Sequence, residues 1–239
     1  MSFRTWFKRI ALTLCSVVCT TLHAAPPDLT GIWMPTAIAP DGSRNTVWPQ
    51  KLPFTKEAQA IVDRYRADYD ALEDDTGRNC LPYGMPQQML VVAQYPLEFI
   101  QTPQRLTLLF ELHNDARRVY FDTRQHPQGL LPSWMGHSVG WYEGDTLVIE
   151  TVGVRSEGAP RPHSPLMKLT ERFHEVEGGT RGRMLKLDMT IEDPLVYATP
   201  ITLHTYFRRE KDIEMGEYFC SDDLWQQSQS GDQSQIPWR

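Results

Sequence analysis

The feature that most constrains this chain is a run of short segments, 97–101, 106–113, 117–122, 166–176, 184–192, 201–209 and 214–220. Each alternates apolar with polar residues, and turn formers such as Asn114-Asp115 and Gly178-Gly179 separate them. Period-two alternation in short runs is the pattern of half-buried β-strands. A central block, Trp134-Met135-Gly136-His137-Ser138-Val139-Gly140-Trp141-Tyr142-Glu143-Gly144-Asp145-Thr146-Leu147-Val148-Ile149-Glu150-Thr151, adds two extended stretches around Glu143-Gly144 and reads as a β-hairpin. One helix interrupts the pattern: Thr55 is placed to cap an amphipathic run over 56–72, with Ala60, Ile61, Val62, Tyr65 and Tyr69 at helical spacing. A single helix cannot cover both faces of a parallel sheet, which excludes the doubly wound α/β folds. The expectation is a mainly β chain, a single antiparallel up-and-down barrel with one N-terminal amphipathic helix.

The 239 residues, 41% hydrophobic and 10% aromatic, suffice for one large β domain with a core of ordinary size. The chain divides into a leader at 1–24, a barrel domain at 25–225 and a Gln/Ser-rich tail at 226–239 expected to be mobile. Arg4, Lys8 and Arg9 precede an apolar run over 10–18 that ends in small residues, the pattern of a secretory signal peptide cleaved after Ala24 or Ala25. The run falls short of the ~20 apolar residues that span a membrane, and Cys15 and Cys19 follow Leu14 and Val18 rather than the small residue of a lipobox. A periplasmic or secreted protein without a stable membrane anchor is therefore expected. Loss of 1–24 leaves 21 Lys+Arg against 30 Asp+Glu, a net charge of −9, which disfavours nucleic acid as a partner. Cys80 and Cys220 remain; in an oxidising compartment such a pair reads as a disulfide, the alternative being two separate buried thiols.

Strand alternation assigns polar side chains to faces, given a register. Glutamate resists the positive φ that a two-residue turn at Glu143-Gly144 demands, so a turn with Gly144 in the bulge position is favoured. Trp141 then pairs with Asp145, and His137, Val139 and Trp141 share an apolar, inward face with Leu147, Ile149 and Thr151, while Ser138 points away. The tighter turn would set His137 across from Glu150. Glu171 alternates with Leu169 and Phe173 and faces the core. Its partner is either Arg209, in a structural ion pair, or His137, in an acid–base pair working on a ligand. His163, after the Pro-rich stretch 158–162, is placed at a barrel mouth as a ligand contact or as a solvated loop residue. Of Arg117 and Arg118 one points outward in either register, and Arg118 is the candidate for orienting a carboxylate.

No phosphate loop, His-Glu-x-x-His, paired-cysteine spacing or Gly-x-Ser-x-Gly is present, so neither a cofactor nor a metal is expected. Ser138 beside His137 forms no triad, because neighbouring strand residues face opposite ways. What remains is an apolar interior rich in aromatic residues with a few convergent polar groups. The candidate ligand residues are Trp134, His137, Trp141, His163, Glu171 and Arg118, for a small apolar or aromatic molecule.

Gly31-Ile32-Trp33 at the entry to the first strand, with Arg208 and Arg209 ending a late one, resembles the calycin superfamily of lipocalin-like barrels. That resemblance implies an up-and-down barrel with an internal cavity, its tryptophan plugging one end under an arginine or lysine from the last strand. The block at 134–151, with Tyr95-Pro96-Leu97-Glu98, Arg117-Arg118-Val119-Tyr120 and Leu169-Thr170-Glu171-Arg172-Phe173, is similar to an uncharacterised family of bacterial exported proteins. This second resemblance covers most of the mature chain; it implies a shared fold and carries no activity. Two functions follow as expectations: an exported barrel that binds an apolar or aromatic ligand, or a cofactor-free lyase, isomerase or cyclase using His137 and Glu171 as acid and base.

Overall fold

In a computed structural model of the chain, residues 27–45, 47–68, 80–91, 95–157 and 161–220 are described; the leader, the tail at 226–239 and the end of the helix expected over 56–72 lie outside them. Nine strands, β1 (Gly31–Thr36), β2 (Leu97–Gln101), β3 (Arg105–Phe110), β4 (Ala116–Tyr120), β5 (His137–Glu143), β6 (Thr146–Val152), β7 (Lys168–Glu177), β8 (Arg183–Glu192) and β9 (Ile201–Glu210), follow one another around a closed barrel. β9 closes on β1, pairing Arg209 with Trp33 and Phe207 with Pro35. An odd number of strands cannot alternate direction all the way round a ring. The mismatch falls between β4 and β5, which run parallel, with Val119 opposite Ser138 and Tyr120 opposite Val139. A parallel pair needs a chain that returns the full length of the barrel, and residues 121–136 are that crossover.

Alternation fills the interior with Trp33, Phe99, Leu108, Phe173, Leu187, Met189, Leu203 and Phe207, all fully buried or nearly so. Trp33 donates its indole N–H to the Leu29 carbonyl at 2.9 Å. The Arg209 guanidinium lies 5.2 Å over the Trp33 ring and donates to the Thr30 carbonyl. Arg209 is thus an exposed rim residue and not the partner of Glu171.

Helix α1 (Lys56–Asp68) begins as expected, with the Ala58 amide donating to the Thr55 hydroxyl at 3.1 Å. A second helix, α2 (Gln87–Leu90), packs Met89 and Leu90 into the core. One helical turn is too short to carry a period, so sequence reads it only as irregular chain. The strand expected at 214–220 does not form, because a closed barrel leaves β9 no free edge. Instead the segment runs past the β3–β4 corner, where the Asn114 amide stands in for a strand: it donates to the Tyr218 carbonyl at 2.7 Å and accepts from the Tyr218 N–H at 3.2 Å. The Cys80–Cys220 disulfide ties the end of this segment down.

The same corner buries His113 and Asp115 under Tyr83 and Tyr218. Burial pushes the Asp115 carboxyl up to about 6 and lowers His113, each disfavouring its charged form. A raised carboxyl stabilises the fold below its unfolded value of about 3.9, and that contribution is lost as pH rises through 6. Asp115→Asn is accordingly expected to raise Tm at pH 8 and to give no gain at pH 4, measured by thermal unfolding at both. Opening a disulfide between residues 140 positions apart costs on the order of 4–5 kcal/mol in loop-closure entropy. Thermal unfolding of the Cys80→Ser, Cys220→Ser variant checks this, with Tm expected to fall by about 10 °C or more.

Candidate functional site

The hairpin register decides which residues face the barrel interior. Glu143 pairs with Thr146, so the two-residue turn is Gly144-Asp145, with Gly144 at φ +63° in the position that a type II′ turn reserves for glycine. Neither the bulge nor the Glu143-Gly144 turn forms. Trp141 lies opposite Val148 instead of Asp145, and a shift by an odd number of residues turns every side chain of β5 to the other face. Leu147, Ile149 and Thr151 are inward and fully buried, as expected from sequence, but their companions are Ser138, Gly140 and Tyr142. His137, Val139 and Trp141 belong to the outer face, and Ser138 to the inner.

Inside the barrel Ser138 joins a closed polar cluster. Arg117, fully buried, donates from Nη1 to Glu171 Oε1 at 2.9 Å, from Nη2 to Glu171 Oε2 and to Thr151 Oγ1 at 2.8 Å, and from Nε to Ser138 Oγ at 3.1 Å. The Ser138 and Thr151 hydroxyls are themselves 2.8 Å apart. Glu171 therefore faces inward as expected, but its partner is Arg117, and its two oxygens are taken by one guanidinium. It lies across the sheet from His137, so these two residues form no acid–base pair. Among the described residues, the apolar side chains packed around the cluster fill the interior. The recess beside Pro35, Met89, Phe110 and Phe207 measures about 10 Å³, no more than one water.

One open cleft lies at an end of the barrel. A cleft of about 790 Å³ is bordered by Asp28, Gln101, Phe121, Arg124, Trp141 and Tyr142. Gly140 makes room for one wall: a Cβ there would stand 2.7 Å from Val119 Cγ1 and 2.8 Å from the Phe121 ring, so only glycine lets the crossover's first residue fold in against β5. Arg124 lies 4.8 Å over the Trp141 ring, whose indole N–H is held by Glu143 Oε1 at 2.9 Å. Asp28 brings a negative charge to the same cleft, its carboxyl held below the usual range chiefly by hydrogen bonds from Thr30.

On the outer wall, at the other end of β5, His137 meets His126 of the crossover, Nδ1 to Nδ1 at 2.8 Å, and its ring stacks on Tyr120 at 5.3 Å. His126 Nε2 lies 3.4 Å from Glu150 Oε1. Burial first, then the neighbouring His126, lowers the His137 pKa. Arg118 is exposed on the same face of β4 as Tyr120.

The six residues singled out by sequence are thus dispersed. Trp141 borders the end cleft; His137 and Arg118 share the outer wall; Glu171 is in the core. Trp134 packs under Arg155 and accepts the Met85 N–H at its carbonyl. His163 is no mouth residue but a buried latch, its ring nitrogens facing the Arg161 and Arg155 carbonyls at 3.1 and 3.0 Å. Sequence reading preferred Arg118 to Arg117, set Glu150 opposite His137 only in the tighter turn, and did not mark Arg124 or His126. Arg117 had a signal, since it alternates with Val119 and Phe121 whereas Arg118 alternates with Tyr120 and Asp122; Arg124 and His126 lie in a stretch with no periodicity. Among the described residues no group of three or more His, Cys, Asp or Glu is placed to hold a metal ion. No family model matches the sequence, and comparison with curated proteins and with solved structures returned no match.

Removal of one member of a buried ion pair strands the other charge. Arg117→Met or Glu171→Gln alone is expected to cost about 3–5 kcal/mol, and the double variant Arg117→Met, Glu171→Met clearly less than the sum of its parts. Urea unfolding of the three variants is the measurement.

Proposed function

We propose that this is an exported barrel that binds a small aromatic molecule bearing polar groups, in the end cleft rather than in the barrel interior. The supporting observation is the contrast between a filled interior and a 790 Å³ opening walled by Phe121, Trp141 and Tyr142. A volume of that order suits a drug-sized ligand, and aromatic walls with a few placed polar groups are the usual make-up of such sites. A planar ring stacks on Trp141 in place of, or beside, Arg124. The Arg124 guanidinium then takes an anionic substituent and Asp28 a donor.

A calycin relationship is part of the same reading, supported by the closed barrel and by Arg209 across Trp33. Its ligand site is displaced from the calycin cavity because Arg117 and Glu171 occupy that space. Export is supported by the leader's charge pattern and by the Cys80–Cys220 bridge, which suits an oxidising compartment. No helix among the described residues is long and apolar enough to cross a membrane.

Titration with 8-anilinonaphthalene-1-sulfonate, an anionic aromatic probe read by its fluorescence, tests the site. Trp141→Ala is expected to weaken binding about tenfold, roughly 1.4 kcal/mol, and Arg124→Gln to weaken it and flatten its salt dependence. Trp134→Phe should leave it unchanged. Equal affinity in the Trp141→Ala and parent proteins would place the ligand elsewhere.

A further inference from the structure

We infer that the outer wall carries a second site, independent of the cleft, in which His137 is a general base for a small anionic carbonyl compound held by its carboxylate on Arg118. Two imidazoles, those of His137 and His126, meet at this site. Their centroids are 5.0 Å apart and their Nδ1 atoms 2.8 Å, leaving 2.2 Å, the sum of two centre-to-nitrogen lengths of about 1.1 Å each. Both nitrogens therefore lie on the line between the ring centres, the geometry of a hydrogen bond. Two ligands to one ion at ~2.05 Å would bring the centroids to about 4.3 Å for the same nitrogen separation.

A hydrogen bond between two imidazole nitrogens needs one donor and one acceptor, and Glu150 assigns them. Its Oε1 lies 3.4 Å from His126 Nε2, a buried nitrogen that makes no hydrogen bond in the structure, so the carboxylate acts on it by charge. A carboxylate there favours the proton on His126 Nε2, which leaves His126 Nδ1 as acceptor. His137 must then carry its proton on Nδ1, and its Nε2 is left with a bare lone pair. That atom makes no hydrogen bond to the protein and is not among the buried unpartnered atoms, so it is open to solvent. His126 and Glu150 are positioning residues, arranged behind the base as a carboxylate and an imidazole are behind a catalytic hydroxyl.

Other groups facing the pair set its charge. Lys168 of β7 stands 3.9 Å from Glu150 and 2.9 Å from Glu192 of β8. Tyr120 of β4 contributes a ring face. Arg118, one pair along β4 on that face, has no ion-pair partner among the described residues and supplies the anion-binding charge. In the reaction, the C–H bond beside the substrate's carbonyl breaks and its proton moves to His137 Nε2. The electron pair enters the carbonyl as an enolate, whose charge the Arg118 guanidinium offsets, and the imidazolium is stabilised through His126 by Glu150. A solvent proton returns to the carbon and His137 Nε2 releases the abstracted proton to solvent, which restores the base and completes an exchange that consumes no other reactant.

The test is deuterium exchange into the methyl group of pyruvate in D2O, followed by proton NMR with the full chain. Exchange is expected to exceed the buffer rate, to rise with pH to a plateau with a midpoint below the ordinary imidazole value of about 6.5, and to fall about 100-fold or more in His137→Gln. Arg118→Gln should raise the half-saturating pyruvate concentration about tenfold with little change at saturation. Glu150→Gln should move the pH midpoint downward, an effect that a merely structural residue would not produce. Nitrogen-15 spectra of the imidazoles supply a readout that needs no turnover, with His137 expected protonated at Nδ1 and His126 at Nε2. Exchange at the buffer rate, equal exchange in His137→Gln, or His137 protonated at Nε2 instead would overturn the proposal.

Discussion

A guanidinium closed inside a ring of nine strands is the constraint on which this barrel's use of its surfaces rests. Arg117 is stable there because Glu171, Ser138 and Thr151 accept four of the five N–H groups of its guanidinium. Coulomb attraction at that depth is strong, but so is the cost of dehydrating both ions, and only full hydrogen bonding balances the two. Strands β4, β5, β6 and β7 each contribute one member, so the cluster holds four neighbouring strands in register. It also takes up the volume in which a barrel of this kind would otherwise carry a ligand. Both proposed sites accordingly lie outside the interior, at the barrel's end and on its outer wall.

What stands at those surfaces follows from a second constraint, the odd strand count. Because β4 and β5 run parallel, residues 121–136 must travel back along the barrel, and they do so over the outer face of β5. The crossover brings Phe121 and Arg124 to the cleft and His126 to His137. A strictly alternating barrel would join β4 to β5 by a tight hairpin and would have neither surface. Gly140 is where this arrangement is most sensitive, since the Phe121 ring occupies the place of a side chain there.

The barrel itself was legible in the sequence, because period-two alternation is carried redundantly by the eight strands β2 to β9 and their turns; the cap at Thr55 and the inward faces of Glu171 and Ile149 follow from purely local rules. The site was much less legible. Replacing the bulge at Gly144, which would set Trp141 against Asp145, by the two-residue turn Gly144-Asp145 reverses β5, sending His137 out and Ser138 in, and nothing local distinguishes the two once Gly144 can serve either. Choosing Arg118 over Arg117 ignored the apolar company that Arg117 keeps at Val119. His126 came beside His137 only through the crossover, and a parallel joint cannot be read from one strand at a time.

The central claim is that the barrel interior is closed and that aromatic ligands bind at its end. It is tested most directly by amide and methyl NMR spectra during titration with 8-anilinonaphthalene-1-sulfonate. The account predicts shifts confined to residues 28–30, 101–103, 121–124 and 140–142, with the methyl groups of Leu187, Met189 and Leu203 unmoved. Saturable shifts of those interior methyls, with the cleft amides unchanged, would contradict it.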